Sequence, residues 1–392
     1  MTRALRAVPA GPGDVTRLAD ALRAALDGDG AAVQPVPDEG GPGPDPSGAG
    51  ARGVPDDVAV VVRTSGSTGE PRGVMLSAAA LRASAAATET RLGGPAQWLL
   101  TLPAHHVAGL QVVARSVLAG TRPVVAAPGT FRPDRFVADT ARLTADRRYT
   151  SLVPTQLHRL LDDDAGRAAL RRYDAVLLGG AATPAPLLDR ARSAGIRVTT
   201  TYGMSETCGG CVYDGVPLDG VRVRLDPDDG ILLTGPVLAT GYLGRPDLDS
   251  RTFVDVEAAR WLRTHDLGRL DDGRLVVLGR VDDVLVTGGV KVAPSAVERV
   301  VAEVVGVGEV CVVGVADPEW GQAVVAVVVP SRGRRAPSPG QVREHVAATL
   351  GAPAAPRHLV VVDRLPLRGP GKVDRRGAAA LAAARLDRPL PS

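Results

Sequence analysis

The run Val58-Ala59-Val60-Val61-Val62 is apolar and largely β-branched without interruption, the pattern of a strand covered on both faces. A polar, glycine-rich stretch from Thr64 to Gly73 follows it. Val74-Met75-Leu76 then leads to Ser77, a residue suited to capping a helix. From there the two periods alternate. Helical spacing predicts helices over 77–91, 107–119, 133–146, 154–172 and 184–194, and the short apolar runs between them predict strands over 98–103, 122–126, 149–153, 174–179 and 196–201. Alternation on this scale predicts a layered α/β domain. From 221 to 279 the pattern changes to short strands and turns, as in Gly230-Ile231-Leu232-Leu233 and Arg274-Leu275-Val276-Val277-Leu278, which predicts a small β subdomain. Past 281 a helix at 294–305, strands at 308–316 and 322–330, a helix at 338–350 and a strand at 357–363 predict a small α+β unit. The expected class is therefore α/β, with a large multi-layered domain over 58–280 and a small α+β domain over 281–392. Ahead of them, 1–57 forms a separate segment in which Val15, Leu18, Leu22 and Leu26 stand at helical spacing and the Pro/Gly-rich stretch from Asp38 to Gly48 reads as a loop or linker.

A chain of 392 residues has room for two or more cores. With 45% hydrophobic and 23% charged residues and a net charge of +3, it reads as an ordinary soluble globular protein. Its Lys and Arg are scattered and only 3% of its residues are aromatic, so a nucleic-acid partner is not expected. It shows neither a cationic start with an apolar core and cleavage site nor an apolar run of about 18 residues, so neither secretion nor a membrane span is expected, and a cytoplasmic protein is. Cys208-Gly209-Gly210-Cys211 is a C-x-x-C, but zinc would need two more ligands and only Cys311 remains. Chance or packing is the expected reading, with a disulfide or metal as the alternative. The neighbours His105 and His106 are expected to point to opposite faces of a strand and so to make a poor metal pair.

The stretch Thr64-Ser65-Gly66-Ser67-Thr68-Gly69-Glu70-Pro71-Arg72-Gly73 carries the densest chemistry. Its glycines permit turns that a Cβ would block, while four hydroxyls, freed backbone N–H groups and Arg72 suit one polyanion. The alternative is an ordinary Gly/Ser turn. A G-x-x-x-x-G-K-[S/T] loop is excluded, because Val74 follows Gly73. The stretch resembles, almost residue for residue, the phosphate loop of the acyl-adenylate-forming enzymes, the family of acyl-CoA synthetases, adenylation domains and luciferases. Arg72 stands where that family usually has Lys.

Three further constellations follow in the order the resemblance requires. Thr199-Thr200-Thr201-Tyr202-Gly203-Met204-Ser205-Glu206-Thr207 leaves a predicted strand, where ligands of α/β sheets bind. The resemblance implies that Tyr202 stacks on adenine, Glu206 holds Mg²⁺, and Thr207 with the Thr201 hydroxyl reaches the α-phosphate; it also gives nucleotide-binding roles to Gly180, Ala181 and Gly203. Thr264-His265-Asp266-Leu267-Gly268-Arg269 comes next, with Gly279-Arg280-Val281-Asp282-Asp283 after it. There Asp266 would grip the ribose hydroxyls, Arg280 would assist, and Asp282 would be a hinge. Finally Lys372, in Arg368-Gly369-Pro370-Gly371-Lys372-Val373-Asp374, matches the family's adenylation lysine. A competing reading takes Gly203-Met204-Ser205-Glu206-Thr207 as a hydrolase nucleophile elbow. It fails on Thr207 in place of Gly, on His265 preceding Asp266 and on the strand context of His358.

The family's chemistry implies ATP, Mg²⁺ and coenzyme A as co-reactants and a small carboxylic acid as substrate. It also implies rotation of the C-terminal domain, bringing Gly288, Gly289 and Lys291 to coenzyme A after Lys372 withdraws. Within the family the short segment ahead of Thr64 and the runs 102–111 and 210–220 are most like the short actinobacterial form of the 2-succinylbenzoate-CoA ligases. On that likeness His106, Arg115, Gly203, Cys208 and Gly209 would face the acid, His106 also taking part in catalysis, and a homodimer is a further expectation. The alternatives are a ligase for another aryl or medium-chain acid, an enzyme loading a carrier protein, or a nucleotide-binding protein without catalysis.

Overall fold

The computed structural model describes residues 2–37, 53–64, 72–368 and 372–387. A seven-stranded sheet forms its centre, in the order Val216–Pro217, Gly209–Tyr213, Val198–Met204, Ala175–Leu178, Arg148–Leu152, Gln97–Leu100 and Val124–Val125. The five strands from Val198–Met204 to Val124–Val125 run parallel; Gly209–Tyr213 and Val216–Pro217 turn back antiparallel at one edge. Successive residues of these strands fall into different cores. Trp98, Leu100, Ala175 and Leu177 join one cluster, while Leu99, Val176 and Leu178 join another. Burial on both faces is the reason the strands read as unbroken apolar runs rather than alternating ones.

The first cluster also holds residues of a second sheet, ordered Gly241–Tyr242, Arg72–Ser77, Val58–Thr64, Ala32–Val36 and Leu5–Pro9, and of the helices Ala78–Leu92 and Val107–Leu118. These helices are therefore sandwiched between sheets. The Ser77 hydroxyl accepts the Ala80 N–H at 3.1 Å, so the expected cap is present. The helix expected near the N-terminus is Val15–Asp27, but it lies between two strands the sequence pattern did not reveal. Leu5–Pro9 pairs in parallel with Ala32–Val36, which in turn pairs with Val58–Thr64. Residues 5–36 thus complete the sheet that carries the loop after Thr64, where the sequence had suggested a separate segment. Arg6 and Gln34 within those strands disguise their β character.

Four further strands, Arg222–Leu225, Gly230–Thr234, Ala259–Asp271 and Phe253–Val256, form an antiparallel sheet, and Arg274–Arg280 pairs with Ala259–Asp271. Beyond it, Val307–Asp317 and Gly321–Pro330 form a long hairpin flanked by Leu285–Thr287 and His358–Val361, with the helices Pro294–Val301, Pro339–Leu350 and Arg375–Leu386 packed on it. The α/β class and the small α+β unit are as the sequence predicted. Among the described residues no helix is long and apolar enough to cross a membrane.

Candidate active site

The parallel strands deliver Val153, Gly179-Gly180 and Thr201–Glu206 to one edge of the central sheet, where open α/β sheets bind ligands. Close backbone approach explains the glycines there. A Cβ on Gly179 would lie 2.4 Å from Thr201 Oγ1, and one on Gly203 would lie 2.0 Å from the Gly209 carbonyl oxygen. Ser65, Gly66, Ser67, Thr68 and Gly69 lie outside the described residues. The neck of their loop is nonetheless fixed, because Thr64 and Arg72 are paired across the strands that flank it.

Glu206 lies in a short 3-10 turn, Ser205–Thr207. Its Oε1 accepts a hydrogen bond from the Tyr242 hydroxyl at 2.7 Å, and its carbonyl accepts the Ala239 N–H at 2.8 Å. Tyr242 belongs to the strand that pairs with Val74 and Met75 just after the loop. Burial pushes its phenol pKa up, and the neighbouring Glu206 carboxylate pushes it further. Sequence reasoning missed this residue. The available signal was a Gly-Tyr pair in a chain with only five tyrosines, since a buried phenol calls for a partner.

Across the site, Tyr202 donates to Asp266 Oδ2 at 2.8 Å. Arg280, paired with Asp266 across two strands, brings Nη1 to 3.5 Å from Oδ1. Burial raises the Asp266 carboxyl, opposed by the Tyr202 hydrogen bond and then by Arg280. Asp282 faces the same group, 3.3 Å from Arg280 Nη2 and 3.5 Å from His265 Nδ1.

Lys372 reaches this edge from the C-terminal unit. Its Cε lies 3.2 Å from the place a Cβ on Gly180 would take. The residue as a whole is exposed, but its ammonium end is turned inward, and burial followed by the Arg280 charge lowers its pKa. His106 shares this environment. Burial, then His105, then Lys372 push its pKa down to about 4, so it is neutral at neutral pH. The structure corrects the view of the histidine pair. They stand in a turn ahead of the helix Val107–Leu118, where no strand pleat imposes alternation, and their rings meet at 4.4 Å between centroids.

Two other expected residues, Thr207 and Cys208, are turned into the core. Thr207 is fully buried, its hydroxyl accepting the Met204 N–H at 2.9 Å and donating to the Gly209 carbonyl at 2.7 Å, so it holds the turn instead of facing a phosphate. Ala181 is exposed beside Gly180. Cys208 and Cys211 are buried free thiols, and burial raises both pKa values, Cys211 to about 12. The Cys208 carbonyl accepts from Gln111 Nε2 at 2.6 Å.

Arg115 is only 3% exposed. It donates to the Tyr213 hydroxyl at 3.3 Å and lies 5.3 Å from the Trp98 ring centroid. Its Nε and, one helical turn earlier, Gln111 Oε1 have no hydrogen-bond partner. A buried guanidinium left partly unsatisfied is costly, which singles out this spot.

Gly288 and Gly289, both left-handed at φ +56° and +78°, turn the hairpin Leu285–Thr287 to Val290–Val292 that presents an exposed Lys291. A Cβ on Gly288 would also meet the Trp320 ring at 2.5 Å.

The donor set expected for Mg²⁺ is one carboxylate, that of Glu206. Tyr242 orients Oε1 of Glu206 and leaves Oε2 for a cation, and no cluster of three or more metal-binding side chains occurs among the described residues. This fits an ion that takes most of its ligands from phosphates and water.

Asp266 with Tyr202 and Arg280, the glycine-edged strand end at Gly179-Gly180 and Lys372 from the C-terminal unit thus meet at one edge of the central sheet. The chain belongs to the AMP-binding enzyme family, whose model matches residues 14–240, with the family's C-terminal domain matching residues 296–372. The match from residue 14 takes in the strand Ala32–Val36 of the five-stranded sheet. A probable 2-succinylbenzoate–CoA ligase of Mycobacterium tuberculosis is 49% identical over 338 residues, 85% of this chain and 87% of the relative. Among solved structures, o-succinylbenzoate CoA synthetase (MenE) from Bacillus subtilis, in complex with the acyl-adenylate intermediate OSB-AMP, is 29% identical with a TM-score of 0.68, over 81% of this chain and 68% of that one. The amide bond synthetase McbA from Marinactinospora thermotolerans is 26% identical with a TM-score of 0.75, over 97% of this chain and 80% of that one.

Proposed function

We propose that this chain is an ATP-dependent acid–CoA ligase of the cytoplasm, acting on 2-succinylbenzoate, with a body over 58–280 and the strands before it, a lid over 281–392 and a hinge at Asp282. The observation that carries the reading is the approach of Lys372 to Gly180, His106 and Arg280. This approach supports the reading of Lys372 as the cation that meets the attacking carboxylate and the α-phosphate.

A carboxylate is a poor electrophile, since its charge repels nucleophiles and oxide is a bad leaving group. In the first step its oxygen attacks the α-phosphorus of ATP, the bond to pyrophosphate breaks and acyl-AMP forms. In the second, the coenzyme A thiol attacks the acyl carbon and AMP leaves, its proton passing to solvent. No protein nucleophile is required; the protein positions and neutralises charge. Lys372 bridges the attacking carboxylate and the α-phosphate, the loop 64–73 receives the pyrophosphate, and Asp266 with Arg280 holds the ribose. Glu206 would hold Mg²⁺, which when bound neutralises phosphate charge. Tyr202 lines the adenine, and His106, neutral and beside Lys372, can accept or donate one hydrogen bond without adding charge.

For the acid, the support is the 49% identical relative together with Arg115. The activated succinyl carboxylate leaves the benzoate to be recognised, and the buried Arg115, with its Nε–H unsatisfied, suits an anion. The test is ATP–pyrophosphate exchange across a panel of acids, then addition of coenzyme A. Exchange with 2-succinylbenzoate and thioester on adding coenzyme A is the expected result. Exchange only with another acid would keep the chemistry and discard the substrate.

A further inference from the structure

Arg375 lies three residues beyond Lys372, in the first turn of the helix Arg375–Leu386. Its guanidinium grips both oxygens of Glu298, Nη1 to Oε1 at 2.6 Å and Nη2 to Oε2 at 3.2 Å, and Nη1 also donates to the Val312 carbonyl. Glu298 Oε1 accepts the Val312 N–H at 2.8 Å. The remaining edge of Arg375 faces the hinge, with Nε 3.4 Å from Asp283 Oδ2. Asp283 adjoins Asp282 in one 3-10 turn, Val281–Asp283. The two carboxylates pull in opposite senses: Asp282 toward Arg280 and His265, Asp283 toward Arg375.

We propose that Glu298, Arg375 and Asp283 form a positioning triad that makes the hinge turn and the Lys372 strand one rigid piece, so that rotation about Asp282 carries the lysine in and out of the site along a fixed path. The proposal rests on the reading of Lys372 as the adenylation lysine. Lys372 itself lies on a ladder of only two pairs, Leu367 with Val373 and Arg368 with Lys372, and so short a ladder cannot hold a position alone. The Asp374 N–H adds one bond, to the Pro366 carbonyl at 2.8 Å, and the anchor that leaves this hairpin is Arg375, held by a forked ion pair whose geometry fixes direction as well as distance. Arg375 touches no reacting atom, and it acts through Lys372.

A purely structural role predicts something different. Both half-reactions use the C-terminal unit, whereas only adenylation uses Lys372. The chain also contains just two lysines, Lys291 and Lys372, so amine modification read by mass spectrometry reports each one separately. The experiment compares Arg375→Met, Glu298→Gln and Arg375→Lys in the full chain by pyrophosphate exchange, by thioester formation from supplied acyl-adenylate, and by the acetylation rate of Lys372 relative to Lys291. Misplacing the lysine by about 1 Å is expected to lower exchange by about 100-fold. Thioester formation should stay near the parent's rate, Lys372 should acetylate faster with Lys291 unchanged, and Arg375→Lys should recover part of the loss. Equal loss of both half-reactions, or unchanged exchange and labelling, overturns the proposal. If Arg375→Met does not fold, Glu298→Gln and Asp283→Asn carry the same comparison. Lys372→Ala is measured alongside. If it retains exchange, the lysine reading itself fails and the labelling alone decides whether the triad fixes its position; if it loses exchange while the triad variants do not, only the triad proposal fails.

Discussion

The Lys372 side chain passes over Gly180, its Cε 3.2 Å from where a β-carbon on that glycine would stand. A β-carbon there would be tighter than ordinary contact, so the lysine would have to give way by a few tenths of an ångström, and Gly180 is also left-handed at φ +82°. Adding a methyl group in Gly180→Ala should push the lysine outward and cost about 1–2 kcal/mol of backbone strain. Lys372→Ala should abolish acyl-adenylate formation and leave thioester formation from supplied adenylate largely intact. Gly180→Ala should show the same asymmetry in weaker form. The two half-reactions, assayed separately, check both, and a parallel fall in the two rates would count against an adenylation lysine.

Tyr242 donates its hydroxyl to the carboxylate proposed to meet Mg²⁺. Tyr242→Phe keeps the ring and removes that bond. Hydrogen bonds to charged groups contribute about 1.5–3 kcal/mol, so the Mg²⁺ needed for half-maximal exchange should rise at least about tenfold. Binding of Mn²⁺ to the enzyme–ATP complex, followed by electron paramagnetic resonance, should weaken in step. An unchanged metal requirement would leave Tyr242 a packing residue.

His106 carries a pH signature. Its pKa in the fold is about 4 against an ordinary 6.5, lowered chiefly by burial, so the unfolded chain binds the proton first. Its contribution to stability is therefore fully present above pH 6.5 and is lost progressively as pH falls toward 4. Denaturant unfolding of the parent and of His106→Asn at several pH values in this window should show the parent losing stability more steeply. Parallel slopes would contradict a buried neutral imidazole.

Arg115→Met preserves most of the volume of the buried side chain and removes the charge. The KM for 2-succinylbenzoate should rise by at least about tenfold, as when a hydrogen bond to a charged group is lost, with the KM for ATP unchanged. An unaltered KM for the acid would dismiss Arg115 from recognition and leave it as a partner of Tyr213 and Trp98 in the core.

Much of the fold was legible because both periods survive in the sequence. The strand Val58–Thr64, the capped helix after Ser77 and the long hairpin of the C-terminal unit announce themselves by runs and caps. The strands Leu5–Pro9 and Ala32–Val36 did not, since polar residues break both runs and Ala32–Val36 reaches Val58–Thr64 only across a proline- and glycine-rich stretch. At the site, the motifs name residue types but not directions. Thr207 reads as a nucleotide contact yet turns inward to tie Met204 to Gly209. His105 and His106 read as a strand pair yet meet ring to ring in a turn.

By itself, then, the sequence determined the layered α/β class, the family resemblance and the order in which loop, carboxylates and lysine occur along the chain, because these follow from local pattern and chain order. Only the tertiary structure decided that Tyr242 meets Glu206, that Arg115 lies buried and partly unsatisfied, and that Lys372 arrives over Gly180 with Arg375 tied to the hinge. Those contacts join residues far apart in sequence. Their energies depend on burial and on orientation in three dimensions, which no local pattern records.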